Sequence, residues 1–169
     1  KLNNLKQAAK TMNFLTEHGI SSYGELEGKL SAVSARRDTA HAEIKQIESR
    51  SAELTLVMKH AGTYRQLKPI YDRYRKSNDK EKFLRGHESE IILFEAAARE
   101  LKRLGAVPLP TTESMKTELA NLNAEKERLL AEYKAARTEV QEYETVKQNV
   151  DALLTVPKEQ EQQRRHELE

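Results

Sequence analysis

Apolar residues recur along most of this chain at alternating steps of three and four, the repeat that lays one stripe along a helix. The first stripe is Leu2, Leu5, Ala9, Met12 and Leu15, which predicts a helix over 2–18. Gly19 follows, suited to the left-handed conformation just past a helix end. Ser22 and Glu25 have capping-box spacing, in which a hydroxyl and a carboxylate each take up a free N–H at a helix start. A long seam comes next: Leu26, Leu30, Val33, Arg37, Ala40, Ile44, Ile47, Ser51, Leu54, Met58 and Ala61. Nine of those eleven positions are apolar over five heptads, a coiled-coil pattern.

The middle of the chain breaks this regularity. Gly62 weakens a helix and Pro69 removes a backbone donor, which predicts a kink or short break at 66–69. Ser77-Asn78-Asp79 reads as a turn with an N-cap. A further helix carries Phe83, His87, Ile91, Phe94, Ala98 and Leu101 on one face and ends at Gly105. Thr111 or Thr112 caps a last long helix. Its seam is Met115, Leu119, Leu122, Lys126, Leu129, Tyr133, Ala136, Val140, Tyr143, Lys147, Val150 and Leu154, and Pro157 ends the pattern.

Two seams of similar length joined by a helical insert predict an all-α fold, an antiparallel coiled-coil hairpin. Its parts are an N-terminal helix (1–20), a first arm (21–62), a helical insert at the tip (63–110), a second arm (111–156) and a disordered or linker remnant (157–169). Each arm is roughly 60 Å long at 1.5 Å per residue. Folding back places Arg37 near Glu139, sets Lys126 uncomfortably near Arg50 and Ser51, and returns the first helix beside Val146, Val150 and Leu153. The start at Lys1 and the closing Leu168-Glu169, a dipeptide that cloning vectors leave before a tag, suggest a fragment of a larger protein.

Composition agrees with a thin seam rather than a thick core. The 169 residues are 37% hydrophobic and 33% charged, with no Trp, against about 45–50% and 25% in ordinary domains. Zero cysteines exclude a disulfide scaffold and Cys-based zinc sites, and fit a cytoplasmic protein. No apolar run approaches the roughly 20 residues that span a bilayer, so no membrane role is expected.

Charge is distributed unevenly. Between Lys59 and Arg85 lie nine Lys/Arg and three acids, whereas the rest of the chain carries 20 basic and 24 acidic residues. A net charge of +2 thus conceals a basic centre between acidic arms. Tyr64, Tyr71 and Tyr74 are interleaved with the basic residues.

Three segments, AKTMNFLTEHGISSYGELE (9–27), KPIYDRYRKSNDKEKFLRGHESEIILFEAAARELK (68–102) and YETVKQNVDALL (143–154), resemble the C-terminal helical region of relaxase/mobilisation nucleases of Firmicutes conjugative elements. The resemblance covers roughly residues 8–154, and its most specific part is the Pro-Ile-Tyr-x-x-Tyr-x-Lys run with the His-Glu-x-Glu helix behind it. In that family an N-terminal domain nicks DNA with a tyrosine and a histidine-bound metal. This chain has neither His-x-His nor a close histidine cluster. The resemblance therefore implies a non-catalytic appendage of a DNA-processing enzyme, with DNA or a protein of the transfer machinery as partner and no cofactor.

Candidate chemistry concentrates in the basic centre. Arg65, Lys68, Tyr71, Arg73, Tyr74, Arg75, Lys76, Lys80, Lys82 and Arg85 form a candidate nucleic-acid surface, cations for phosphates and rings for unpaired bases. Two plain alternatives stand beside it: a solvated charged face, and tyrosines that pack the insert against the arms. Tyrosine chemistry on a phosphodiester needs a metal or equivalent charge nearby, and no such constellation is present. His87-Glu88-Ser89-Glu90 lacks the second histidine of a zinc-protease motif, and His87 shares a face with Phe83 and Ile91, which predicts a hydrogen-bonded packing role. The rival functional class is a structural interaction module that binds no nucleic acid, as a monomer or weak homodimer.

Overall fold

A computed structural model describes the backbone of residues 2–166 and the side chains of residues 4–155. Every regular element among the described residues is a helix: α1 (Leu2–Glu17), α2 (Tyr23–Lys76), α3 (Lys80–Arg103) and α4 (Thr112–His166). The fold is all-α, as expected. No helix among the described residues is long and apolar enough to cross a membrane.

The helix ends follow local chemistry that the sequence announces. Gly19 (φ +62°) and Gly105 (φ +69°) both take the left-handed conformation. At each, the following N–H closes a six-residue ring, Ile20 to the Leu15 carbonyl at 2.8 Å and Ala106 to the Leu101 carbonyl at 2.9 Å. Ile20 and Ala106 are themselves buried, so each stop signal also plants an apolar anchor. Ser22 Oγ accepts the Glu25 N–H at 3.2 Å. The Glu25 carboxylate reaches one residue further back than a capping box requires, to the Ser21 N–H at 2.6 Å and hydroxyl at 2.9 Å. Asp79 and Thr111 cap α3 and α4 by accepting the N–H groups of Lys82 and Ser114.

Three expectations are corrected. First, α2 does not break at 66–69, and residues 63–76 belong to the same helix as the first arm. Pro69 forfeits one backbone bond, while Tyr64, Tyr71 and Tyr74 on the same stretch are held by ring contacts within α2 and to α3. The helical irregularity lies instead at His87, whose φ of −139° interrupts α3 beside Gly86. Second, α4 continues through Pro157 to His166, since the Lys/Glu/Gln/Arg run that follows has high helix propensity. Residues 167–169 of the expected linker lie outside the described residues. Third, the middle of the stripe assigned to the first helix is exposed, Leu5 by 72% and Met12 by 58%, and of its described members only Leu15 packs against the core.

The chain divides into two compact units, Lys1–Glu43 with Arg128–Glu169, and Ile44–Glu127. In the first, Leu26, Val33, Val140, Tyr143 and Val146 form a buried cluster with Ile20, and Phe14, Leu15, Leu30 and Val150 pack against it. The contacts Tyr23–Asp151, Arg36–Glu139 and His41–Tyr133 show α2 and α4 running antiparallel here. Arg36 takes the glutamate expected of Arg37, while Arg37 turns to Asp38 at 2.8 Å. The first helix does return to α4, through apolar contacts, with Phe14 edge-on to Tyr143 at 5.2 Å, and through polar groups: Asn149 donates to Thr11 Oγ1 at 3.1 Å and accepts from Gln7 at 2.6 Å. Thr11, only 2% exposed, donates its own hydroxyl hydrogen bond to the Gln7 backbone carbonyl at 3.0 Å, so the network closes.

In the second unit Leu54, Val57, Ala61, Leu101, Ala106 and Met115 form the core. Lys126 escapes the expected crowding by pairing with Glu48 at 2.7 Å, and Arg50 reaches Glu118 at 2.7 Å. Both lysine and arginine stems thus lie along the seam with their charges at its edge.

Candidate nucleic-acid interface

The basic centre occupies the end of α2, the turn 77–79 and the start of α3, all within the second unit. Two ladders of opposite character run through it.

The first ladder is aromatic. Tyr64, Tyr71 and Tyr74 sit seven and three residues apart, which places them along one face of α2. Phe94, 5% exposed, stacks with Tyr64 at 4.7 Å and with Tyr71 at 4.2 Å between ring centres. Tyr74 lies 6.0 Å from Tyr71 and 6.2 Å from Phe83, and Phe83 leads on to His87 at 4.6 Å. The tyrosines are half-buried, and their rings are engaged with one another and with α3. Such pairs contribute about 0.5–1.5 kcal/mol each beyond the area they bury. Swinging a ring out to meet a base forfeits that together with its burial, against a stacking gain of about 1–3 kcal/mol per base. The balance favours packing.

His87 belongs to this ladder by its ring. Its Nδ1 is buried and makes no hydrogen bond with a described residue, 3.5 Å from the Glu90 carboxylate, so in place of the expected hydrogen bond at that nitrogen the ring contact with Phe83 holds the imidazole.

The second ladder is cationic, and the structure sorts its members. Arg65 is engaged: it donates to Thr112 Oγ1 at 2.8 Å and to the Pro110 carbonyl, fastening α2 to the first residue of α4 and the segment before it. Lys68 pairs with Asp72 at 2.7 Å, and that hydrogen bond raises its pKa above the ordinary lysine value. Arg85 is fully displayed and 3.9 Å from the equally exposed Glu81, a pairing of little energetic weight. Arg73, Arg75, Lys76, Lys80 and Lys82 are exposed, and their side chains form no hydrogen bond or ion pair with a described residue. Of the local acids, Asp72 is held by Lys68 and Asp79 by its capping role.

Helical geometry distributes the free cations. With about 100° per residue, Arg73 and Arg75 leave α2 on opposite flanks of Tyr74, and Lys76 points away from it. Lys80 and Lys82 begin α3 across the three-residue turn. Among the described residues no cluster of three His, Cys, Asp or Glu is positioned to hold a metal. The site can attract and neutralise anions.

Sequence reasoning named these ten residues as candidates but could not separate engaged from free ones. It placed Phe94 on the α3 face without identifying it as the centre of the stack. The 64–71–74 spacing was the available signal, since it commits three rings to one side of α2.

No protein-family model, curated protein or solved structure matches this chain.

Proposed function

We propose that this chain is a non-catalytic, cytoplasmic accessory domain that contacts DNA through the cationic α2–α3 turn, in keeping with its resemblance to the helical region of mobilisation relaxases. One observation carries the reading: five exposed cations with no side-chain partner among the described residues surround a single turn, in a chain whose net charge is only +2. Elsewhere Arg36–Glu139, Arg50–Glu118 and Lys126–Glu48 are tied pairs, while exposed cations such as Lys45, Lys116 and Lys134 are scattered along the arms rather than gathered at one turn. The antiparallel helix pairs, read as a coiled coil, serve as the support that presents the turn.

The test is DNA binding across a salt series. Five phosphate contacts give a slope of log affinity against log salt of about −4.5, so a fourfold rise in salt weakens binding about 500-fold. Replacing Arg73, Arg75 and Lys76 together with Ala leaves two contacts, and the slope falls to about −1.8. Unchanged binding in that variant, with its thermal stability intact, refutes the reading.

A second reading has its own support. The outward stripe of Leu5, Ala9 and Met12 on α1 is the kind of surface that a protein partner or second copy covers, which favours an interaction module of the transfer machinery. Light scattering decides whether the chain self-associates, and loss of association in Met12→Lys would assign it to that stripe.

A further inference from the structure

Two features of the cationic turn specify the kind of nucleic acid it suits; this inference rests on the DNA-contact reading above and narrows it. The first is the state of the rings. A site for unpaired bases needs free aromatic faces, because a base has little else to offer a protein indifferent to its sequence. Here Tyr71 is stacked on Phe94 at 4.2 Å and Tyr74 is lodged between Tyr71 and Phe83. The segment has the aromatic content of a single-strand platform, yet its rings are turned into the α2–α3 contact.

The second feature is the direction of the charges. Arg73 and Arg75 diverge by about 200° around α2, with Tyr74 and α3 between them. A single strand presents one line of phosphates and can neutralise one flank. A duplex presents two lines bordering each groove, with one negative charge per about 1.7 Å of axis. The last turn of α2 is a single helix about 10–12 Å across and, entering by the face opposite α3, matches a major groove about 12 Å wide with a phosphate strand on either side.

We infer that the α2–α3 turn is a duplex-DNA contact that straddles a groove, with Arg73 and Arg75 on opposite phosphate strands. In this arrangement the five free side chains are assigned to phosphates, and the rings are withheld from bases. Tyr71 and Tyr74 act as supports that fix the spacing of the two charged flanks.

The experiment compares the full chain on a mixed-sequence 20-base-pair duplex (about two turns) with either of its single strands, by fluorescence anisotropy at matched salt. The duplex is expected to bind at least about tenfold more tightly, with a slope close to −0.9 per contact rather than −0.7. Arg73→Ala and Arg75→Ala should each lower the duplex slope by about 0.9, and the double variant by about twice that. Tyr74→Phe should bind the duplex as the parent does. Equal or tighter binding of the single strand overturns the inference while leaving the DNA-contact reading in place. Binding of neither probe at low salt overturns that reading and the inference with it. Should Arg73→Ala alone abolish the contribution of Arg75, the two-strand geometry is wrong even if the duplex is preferred.

Discussion

Phe94→Ala is the sharpest test of whether the aromatic ladder is packing. Phe94 is 5% exposed, and its ring is stacked with both Tyr64 and Tyr71. Truncating a buried phenylalanine removes its transfer free energy and leaves a cavity, together about 3–5 kcal/mol. The tyrosines cannot collapse into the gap without abandoning their own places on α2, so the upper half of that range is expected. Domains of this size are stable by about 5–15 kcal/mol, so the loss is a large share of the total. Tyr71→Ala removes a half-buried ring and one end of the stack, and about 1.5–3 kcal/mol is expected. Tyr71→Phe is the control. The Tyr71 hydroxyl has no hydrogen-bond partner among the described residues, so this variant should lie within about 0.5 kcal/mol of the parent. Urea unfolding followed by far-ultraviolet circular dichroism measures all three. A cost below about 1 kcal/mol for Phe94→Ala would show that the ladder is not a packed unit and would return the tyrosines to candidacy as base-stacking residues.

Two further outcomes follow from hydrogen bonds in the first unit. The Ser21 N–H and hydroxyl depress the Glu25 pKa, and the Tyr23 hydroxyl, with Lys147, depresses that of Asp151. A carboxylate with a folded pKa below its unfolded value contributes stability that is present above the unfolded pKa and lost as pH falls through the folded one. Thermal stability should therefore decline as pH drops below about 4, and Glu25→Gln with Asp151→Asn should flatten that decline; an unchanged acid profile in the double variant refutes the assignment. Asn149→Ala strands the buried Thr11 hydroxyl without its donor and frees Gln7. It should cost about 1–3 kcal/mol in urea unfolding, and a neutral result would mean that α1 is held by its apolar contacts alone.

What could be read in the sequence was whatever a short segment decides by itself. Gly19, Ser22, Asp79, Gly105 and Thr111 announce helix ends because each solves a local problem of unpaired backbone groups. The seams were legible for the same reason, since periodicity is a property of one helix: every described seam position of α2 and α4 except Leu154 is buried or half-buried. What failed depended on a second element. The apolar stripe of α1 is as regular as the others, yet of its described members only Leu15 packs on the core, and α1 docks otherwise through Phe14 and through Thr11 and Gln7, to which Asn149 offers a closed hydrogen-bond network. Pro69 reads as a break until α3 is there to hold α2 together. The division of the ten candidate residues into engaged and free was likewise invisible, because Thr112 and Pro110 lie 45 or more positions from Arg65.

Lys80 and Lys82 separate charge placed for folding from charge placed for a partner. Arg73, Arg75 and Lys76 lie in the last turn of α2, where cations complement the negative end of the helix dipole, so folding alone could account for them. Lys80 and Lys82 lie in the first turn of α3, at its positive end, where lysine is unfavourable. Each opposes the dipole by about 0.3–1 kcal/mol, and only Glu81 in that turn compensates. Replacing both with Glu should therefore raise the melting temperature while weakening DNA binding, a pair of opposite shifts that misfolding cannot imitate. Two lost contacts reduce the salt slope by about 1.8, and the repulsion introduced by the new carboxylates reduces affinity further. A variant that gains stability and binds DNA as the parent does would place Lys80 and Lys82 outside the interface, leaving only residues that the fold itself explains. Stability gained and binding lost would mean that this turn keeps an unfavourable charge pattern for the sake of an anionic partner.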